Sequence, residues 1–210
     1  MTRAAAIKDG YTTGARGIAS RSVVGLTRTR ITPNALTASG VLLCAAASVL
    51  VLFEGRGELL FYWLAAFVFV TGSLLDILDG ALARAGGKTT PFGAFIDSTT
   101  DRVSEGFMLT AIAYVLATHH HPVFVAVAMA AVAGSFLVSY TRARAEALGL
   151  RGDVGIGSRA ERVVVITAGL VLAPWGVLPW ALVLLAATAW VTVGQRILHV
   201  RKQLMEATKL

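Results

Sequence analysis

Two pairs of aspartates stand inside apolar stretches of the sequence. Asp76 and Asp79 are three residues apart, and Asp97 and Asp101 are four apart, so each pair projects from one face of a helix. An ionised side chain at the centre of a membrane helix costs at least about 2.5 kcal/mol, so such groups are normally paired, bound to metal or placed in a wet cavity. Four carboxylates with few cations nearby therefore predict a bound cation.

The type of ligand atom indicates the type of cation. Carboxylate oxygens favour Mg²⁺ or Mn²⁺ over zinc, and no Cys or His lies near these aspartates in the sequence. Mg²⁺ commonly keeps phosphate oxygens as ligands, which predicts a phosphorylated or pyrophosphate substrate. The segment between the pairs agrees, because Gly80 lets a ligand approach the backbone while Arg84 and Lys88 offer cations to phosphate.

The helices that must position these aspartates are expected to cross a membrane. Of the 210 residues, 56% are hydrophobic and only 15% are charged, which excludes an ordinary soluble domain. A spanning helix needs about 20 mainly apolar residues, and the last apolar stretch is too long for one crossing unless it turns at Pro174 and Pro179. The predicted spans are 35–53, 59–83, 92–118, 122–147, 158–173 and 177–200.

Basic residues indicate the orientation of these spans. Six crossings place nearly all loop Lys and Arg residues on one side and Arg56 alone on the other, so both termini and the aspartates are predicted to face the cytoplasm at the plasma membrane. The net charge of +7 then reflects topology and does not require a nucleic acid partner.

The resulting fold prediction is an all-α polytopic membrane protein with six transmembrane helices and an N-terminal juxtamembrane amphipathic helix. It forms a single domain over 1–210, with a cytoplasmic surface segment at 1–31, a six-helix bundle at 32–200 and a cytoplasmic tail at 201–210. Basic and apolar residues interleave in the surface segment, which suits a helix lying beneath anionic lipid headgroups.

The string D-x-x-D-G-x-x-A-R, eight residues, G-x-x-x-D-x-x-x-D resembles the signature of the CDP-alcohol phosphotransferase family. It matches at Asp76, Asp79, Gly80, Ala83, Arg84, Gly93, Asp97 and Asp101. The resemblance implies that the four aspartates hold one or two Mg²⁺ ions, with Mn²⁺ as an alternative, at the pyrophosphate of a CDP-lipid such as CDP-diacylglycerol. It also implies that Asp101 is the general base, that CMP is released, and that the chain forms a homodimer among the membrane lipids.

The same resemblance implies a set of residues that bind the CDP-lipid. Gly80 and Arg84 are expected to line the cytidine nucleotide, with Thr90 beside them. A second string, T-P-N-x-L-T, opens the first span and adds Asn34 and Thr37 to this pocket.

A further group of polar residues lies at the predicted cytoplasmic ends of the last three spans. Several guanidinium groups at one cavity would suit a dianionic phosphate. The segment is similar to the actinobacterial phosphatidylinositol phosphate synthases within the family, although Arg142 stands where that subfamily has lysine. The similarity implies that inositol 1-phosphate is the acceptor and that its phosphate binds Ser139, Arg142, Arg162 and Arg196.

Several alternatives stay open. The principal one within the family is a phosphatidylglycerophosphate synthase, and an acceptor such as free inositol or serine fits the arginines less well. A small membrane cation transporter and a non-catalytic scaffold are the alternatives from other classes. Arg102 and Glu105 are interpreted as a supporting pair beside the site or an internal salt bridge, without a catalytic task.

Overall fold

The computed structural model describes residues 32–85, Gly87 and 89–207. The predicted surface segment at 1–31, with its amphipathic helix, therefore lies outside the described residues. So do Lys88 and the last three residues of the tail.

The described residues contain six α-helices and no β-strand, which confirms the all-α prediction. Short 3₁₀ turns at Glu54–Arg56 and Ala173–Trp175 precede the second and the last helix. The α-helices are α1 (Pro33–Val51), α2 (Glu58–Ala85), α3 (Pro91–Thr118), α4 (Pro122–Ala147), α5 (Arg159–Val171) and α6 (Leu178–Ala207).

The turn predicted in the long C-terminal apolar stretch is present. Helix α5 ends at Val171, Pro174 lies in the 3₁₀ turn that follows, and Gly176 adopts the left-handed conformation with φ of 73°. Pro179 is the second residue of α6, where a missing backbone N–H leaves no helical bond unmade. One apolar stretch therefore yields two helices.

Four helices are long and apolar enough to cross a membrane by length and composition: α1, α2, α4 and α6. Helix α3 has 28 residues, as α2 does, but it is not one of these four helices, and it carries four charged residues. They are Asp97, Asp101, Arg102 and Glu105. Helix α5 has 13 residues, or about 20 Å at 1.5 Å per residue, which is short of the roughly 30 Å hydrocarbon layer. The chain is thus of the polytopic membrane class.

The described residues group into two compact units. The first contains residues up to Leu43 together with Thr71–Asp101, and its small apolar cluster is built on Leu36 and Leu82. The second contains Cys44–Val70 and the residues from Arg102 onward, and it holds the larger apolar core.

In the second unit, small residues let α4 approach α6 closely. A Cβ atom added at Gly134 would lie 3.0 Å from the Cβ of Ala189 and 3.2 Å from the ring of Trp190. The indole Nε1 of Trp190 donates a hydrogen bond to the Ala130 carbonyl oxygen at 3.0 Å. Close approach through small residues is the usual way that membrane helices pack, since lipid is as apolar as the side chains.

The connection between α4 and α5 is fastened to α6 at two places. The side-chain amide of Gln203 pairs with the backbone of Arg151, accepting from its N–H at 3.0 Å and donating to its carbonyl at 2.9 Å. Nearer α5, Thr192 Oγ1 accepts a hydrogen bond from the Gly157 N–H at 2.9 Å. Gly155 has φ of 119°, and an added Cβ there would fall 2.3 Å from Thr192 Cγ2, so both conformation and space require glycine.

Candidate active site

Three of the four predicted metal-binding aspartates come together in the first unit. Carboxylate oxygens of Asp76, Asp97 and Asp101 all lie within 4.8 Å of one another, with Asp76 buried and the other two half-buried. Oxygens bound to one Mg²⁺ at about 2.1 Å lie about 3.0 Å apart when adjacent and about 4.2 Å apart when opposite, so modest side-chain rotations would bring all three carboxylates into contact with one ion. The donor set and its spacing fit a hard divalent cation.

The fourth aspartate, Asp79, lies outside this group of three and is 3% exposed. Its Oδ2 accepts a hydrogen bond from the Thr37 hydroxyl, which joins α2 to α1. The sequence had placed Asp79 with the metal and Thr37 with the nucleotide, and nothing in their spacing of 42 residues indicated a bond between them.

All five residues predicted to bind the CDP-lipid line one cavity of about 910 Å³ in the first unit. Asp79 and Asp97 line the same cavity. Its volume lies within the usual range for small-molecule sites, so it has room for a nucleotide. The five residues are Asn34, Thr37, Gly80, Arg84 and Thr90.

Thr90 also caps the helix that carries Asp97 and Asp101. Its Oγ1 accepts a hydrogen bond from the Gly93 N–H at 3.0 Å, and Pro91 follows it as the first residue of α3. A Cβ atom at Gly93 would lie 3.1 Å from that same oxygen, which accounts for glycine at this position.

Gly40 lets α1 approach α2 beside Asp76, a feature that the sequence analysis missed. A Cβ atom added at Gly40 would lie 2.9 Å from the Gly72 carbonyl oxygen and 3.5 Å from the Asp76 Cβ. The small-x-x-x-small habit of membrane helix contacts could have drawn attention to the glycines, but not to which helices they join.

Gly40→Ala is therefore expected to destabilise the protein by about 1–3 kcal/mol, because the first contact is with backbone, which cannot rotate away as a side chain does. Thermal unfolding of the purified protein in detergent would measure it. Gly194→Ala in α6 is the matched control, since an added Cβ there meets nothing within 4 Å. Equal unfolding temperatures for the two variants would contradict the packing argument.

The residues predicted to bind the acceptor phosphate all lie in the second unit. Arg196 is buried and donates from Nε to the Val154 carbonyl at 2.9 Å and from Nη1 to the Val138 carbonyl. Its guanidinium experiences the charges of both Arg142 and Arg162. Arg142 and Arg162 thus lie within electrostatic range of Arg196, as do Glu146 and Asp153, and we call the three arginines the arginine cluster.

The members of this set differ in how they are held. Arg142 is exposed and pairs with Glu146, one turn along the same helix, at 2.8 Å. Ser139 is half-buried and its hydroxyl donates to the Ser135 carbonyl at 3.4 Å. Arg162, by contrast, is 5% exposed and lies against Glu105.

Arg162 is positioned by the start of α5. Ser158 and Glu161 form a capping box there: Glu161 Oε2 accepts from the Ser158 N–H at 2.7 Å, and Ser158 Oγ accepts from the Glu161 N–H at 3.4 Å. The Arg162 guanidinium forms a two-point ion pair with Glu105, which lies 57 residues earlier in the chain. That pairing across helices was not predicted from the sequence, where Glu105 was interpreted with Arg102.

Comparison with known proteins agrees with this geometry. Residues 30–195 match the family model described as CDP-alcohol phosphatidyltransferase. An archaetidylinositol phosphate synthase of Methanothermobacter thermautotrophicus is 36% identical over 173 residues, which cover 80% of this chain and 83% of the relative.

Two crystal structures of the phosphatidylinositol phosphate synthase of Mycobacterium tuberculosis are also similar. The one with CDP-DAG bound has a TM-score of 0.76 and 31% identity, and the match covers 87% of this chain and 93% of that chain. The one in complex with manganese and citrate has a TM-score of 0.77 and 32% identity, covering 87% and 88%. With its aspartate group and matching helices, the chain belongs to the CDP-alcohol phosphatidyltransferase family and is a metal-dependent membrane phosphatidyltransferase.

Proposed function

We propose that this protein transfers the phosphatidyl group of CDP-diacylglycerol to inositol 1-phosphate, giving phosphatidylinositol phosphate and CMP. The observation that carries the choice of acceptor is the arginine cluster, because Arg142, Arg162 and Arg196 offer several guanidinium groups to one dianionic phosphate. The names of the archaeal and mycobacterial relatives support it, since they differ in the lipid part but share inositol phosphate.

The first unit would bind the donor. Asp76, Asp97 and Asp101 would hold Mg²⁺ or Mn²⁺, with Asp79 available to complete the ligands of one or two ions. When bound, the ion neutralises charge on the pyrophosphate and on the departing CMP. The CDP-lipid cavity would take the cytidine nucleotide, and the acyl chains would remain among the membrane lipids. The solved relative with CDP-DAG supports this donor.

Asp101 would act as the general base. The attacking inositol hydroxyl loses its proton to the Asp101 carboxylate as its oxygen bonds to the lipid-bearing phosphorus, and the bond from that phosphorus to the CMP oxygen breaks. A half-buried carboxylate is reachable by substrate and still partly desolvated. The reaction balances with one proton gained by Asp101 and CMP released.

The arginine cluster would orient the acceptor through its phosphate. The side chains of Arg142 and Glu146 are both exposed. Because an exposed ion pair contributes only about 0–1 kcal/mol to stability, a phosphate could replace Glu146 as the partner of Arg142 at little cost. Arg162 and Arg196 are already fixed by backbone and side-chain partners, which lowers the ordering cost of binding. Ser139 adds a hydroxyl one helical turn before Arg142.

The same proposal includes the arrangement in the membrane. All six described helices would cross or enter the bilayer as one domain, and both termini and the active site would face the cytoplasm. The distribution of Lys and Arg supports this orientation. A homodimer is expected from family resemblance.

An acceptor screen tests the proposed substrate. Purified protein with CDP-diacylglycerol and Mg²⁺ should release CMP and form a labelled lipid with inositol 1-phosphate, and little with free inositol or serine, because neither supplies the phosphate that the arginines would bind. Arg196→Gln should suppress the reaction with inositol 1-phosphate. If a lipid product forms with glycerol 3-phosphate and with no other acceptor, the chain is a phosphatidylglycerophosphate synthase. Ion flux in proteoliposomes without CMP release for any acceptor would favour the transporter hypothesis.

A further inference from the structure

Glu105 and Arg162 form a buried ion pair that is joined by two hydrogen bonds. Arg162 Nε donates to Glu105 Oε1 at 2.7 Å and Nη2 donates to Oε2 at 2.9 Å, so the carboxylate meets one whole edge of the guanidinium. Both residues are buried, at 7% and 5% exposure. Such side-on, two-point contact fixes the plane of the guanidinium as well as its position.

A third bond holds the other terminal nitrogen. Arg162 Nη1 donates to the Gly157 carbonyl oxygen at 2.9 Å. Gly157 cannot easily move, because its own N–H is bound by Thr192 Oγ1 and an added Cβ would lie 2.9 Å from that oxygen. The guanidinium is therefore held by α3 on one side and by a connection fastened to α6 on the other.

Two of the N–H groups of the Arg162 guanidinium remain for a ligand. A guanidinium has five N–H groups. Two are donated to Glu105 and one to Gly157, which leaves one N–H on each terminal nitrogen. Each of these two N–H groups can donate a charge-assisted hydrogen bond to a phosphate oxygen.

Charge alone does not account for a glutamate in this position. Glu105 cancels the charge of Arg162, and Arg142 and Arg196 would attract a phosphate more strongly if that carboxylate were absent. A buried ion pair is also weak evidence of a gain in stability, because desolvation of both charges offsets their attraction. What the carboxylate does supply is a fixed orientation for the guanidinium and therefore for its two remaining N–H groups.

We propose that Glu105 is a positioning residue for the acceptor, holding the Arg162 guanidinium so that its two remaining N–H groups meet the acceptor's phosphate oxygens. This inference rests on the proposed function, in which the acceptor carries a phosphate. Glu105 itself touches no substrate and acts through Arg162.

Glu105→Gln is the direct test. A glutamine offers one oxygen to the Arg162 edge and turns an NH₂ group toward the second N–H, so the two-point contact is lost. The expected result is a KM for inositol 1-phosphate raised about tenfold or more, with the KM for CDP-diacylglycerol unchanged. Both constants would be measured by CMP release from the full-length protein in detergent. An unchanged or lowered acceptor KM would overturn the proposal, and a lowered one would show that the carboxylate competes with the phosphate.

A double-mutant cycle separates positioning from a general structural role. Lysine at position 162 keeps the charge but has no planar guanidinium whose orientation Glu105 could fix. Glu105→Gln should therefore change the acceptor KM less than about twofold in an Arg162→Lys background. In an Arg142→Gln background, the full effect should persist. Equal effects in both backgrounds would show that Glu105 does not act through Arg162.

A second variant covers the case in which Glu105→Gln fails to fold because a buried charge loses its partner. Glu105→Asp keeps the charge and withdraws the carboxylate by one methylene, so it should raise the acceptor KM while unfolding near the wild-type temperature. An unchanged acceptor KM in that variant would overturn the proposal. Absence of any reaction with inositol 1-phosphate in the wild-type protein would instead refute the proposed function.

Discussion

Replacing Asp101 with Asn is expected to lower the turnover number at least about a hundredfold, because the proposed proton acceptor is lost while size and shape are kept. Asn still offers a neutral, weaker oxygen to a metal ion, and saturating Mg²⁺ offsets that weaker binding, so the remaining loss falls mainly on the chemical step. CMP release at saturating CDP-diacylglycerol, acceptor and Mg²⁺ measures it.

Two companion variants make this result interpretable. Glu206→Gln changes an exposed carboxylate near the end of α6 that pairs with Lys202 at 3.9 Å, and it should leave turnover unchanged. Asp97→Asn removes a proposed ligand without removing the base, so higher Mn²⁺ should restore much of its activity. Full recovery of Asp101→Asn at high Mn²⁺ would limit Asp101 to metal binding.

The helices could be predicted from sequence because membrane helices leave simple traces. Apolar runs of about 20 residues, with a turn at Pro174 and Pro179, gave helix ends within a few residues for most helices. In the structure, Pro91 and Pro122 are the first residues of α3 and α4, a position that suits proline. Two lengths differ. Helix α5 is shorter than expected, ending at Val171, and α6 runs on to Ala207, because its last turns are polar but remain helical.

The aspartate group could be predicted only in part. Spacing of three and four residues places pairs on helix faces, but which oxygens meet depends on the packing of α2 against α3. The structure brings Asp76 to Asp97 and Asp101, and holds Asp79 with Thr37 on α1. Contacts between different helices leave no pattern in the local sequence and could not be predicted from it. The close approach of Gly40 to the Gly72 carbonyl is another such contact.

The acceptor residues show the same limit more sharply. The resemblance to phosphatidylinositol phosphate synthases implied that Arg162 binds phosphate, and Glu105 was interpreted with Arg102 as a supporting pair or an internal salt bridge. Only the fold brings α3 and α5 together, so the pairing that governs how Arg162 can bind an anion was invisible in the sequence.

A transporter would also place acids in membrane helices, but it would not need the other features found here. The cavity of about 910 Å³ in the first unit is lined by Gly80 and Arg84 from one helix and Thr90 at the cap of the next, together with Asp97. An ion path has no use for a cavity of nucleotide size with an arginine at its wall. The family assignment and the cavity therefore point to the same chemistry.

Replacing Asp76 with Asn is expected to weaken metal binding by at least about tenfold, because a neutral amide oxygen is a weaker ligand for a hard cation than the buried carboxylate it replaces. The free Mn²⁺ signal in electron paramagnetic resonance, followed as purified protein is titrated, measures affinity without substrate or turnover. Asp76→Asn should leave more Mn²⁺ free than the wild type, while Glu206→Gln should match the wild type. If Asp76→Asn binds Mn²⁺ as the wild type does, the ion lies elsewhere, and the proposed roles of Asp97 and Asp101 as its ligands fail with it.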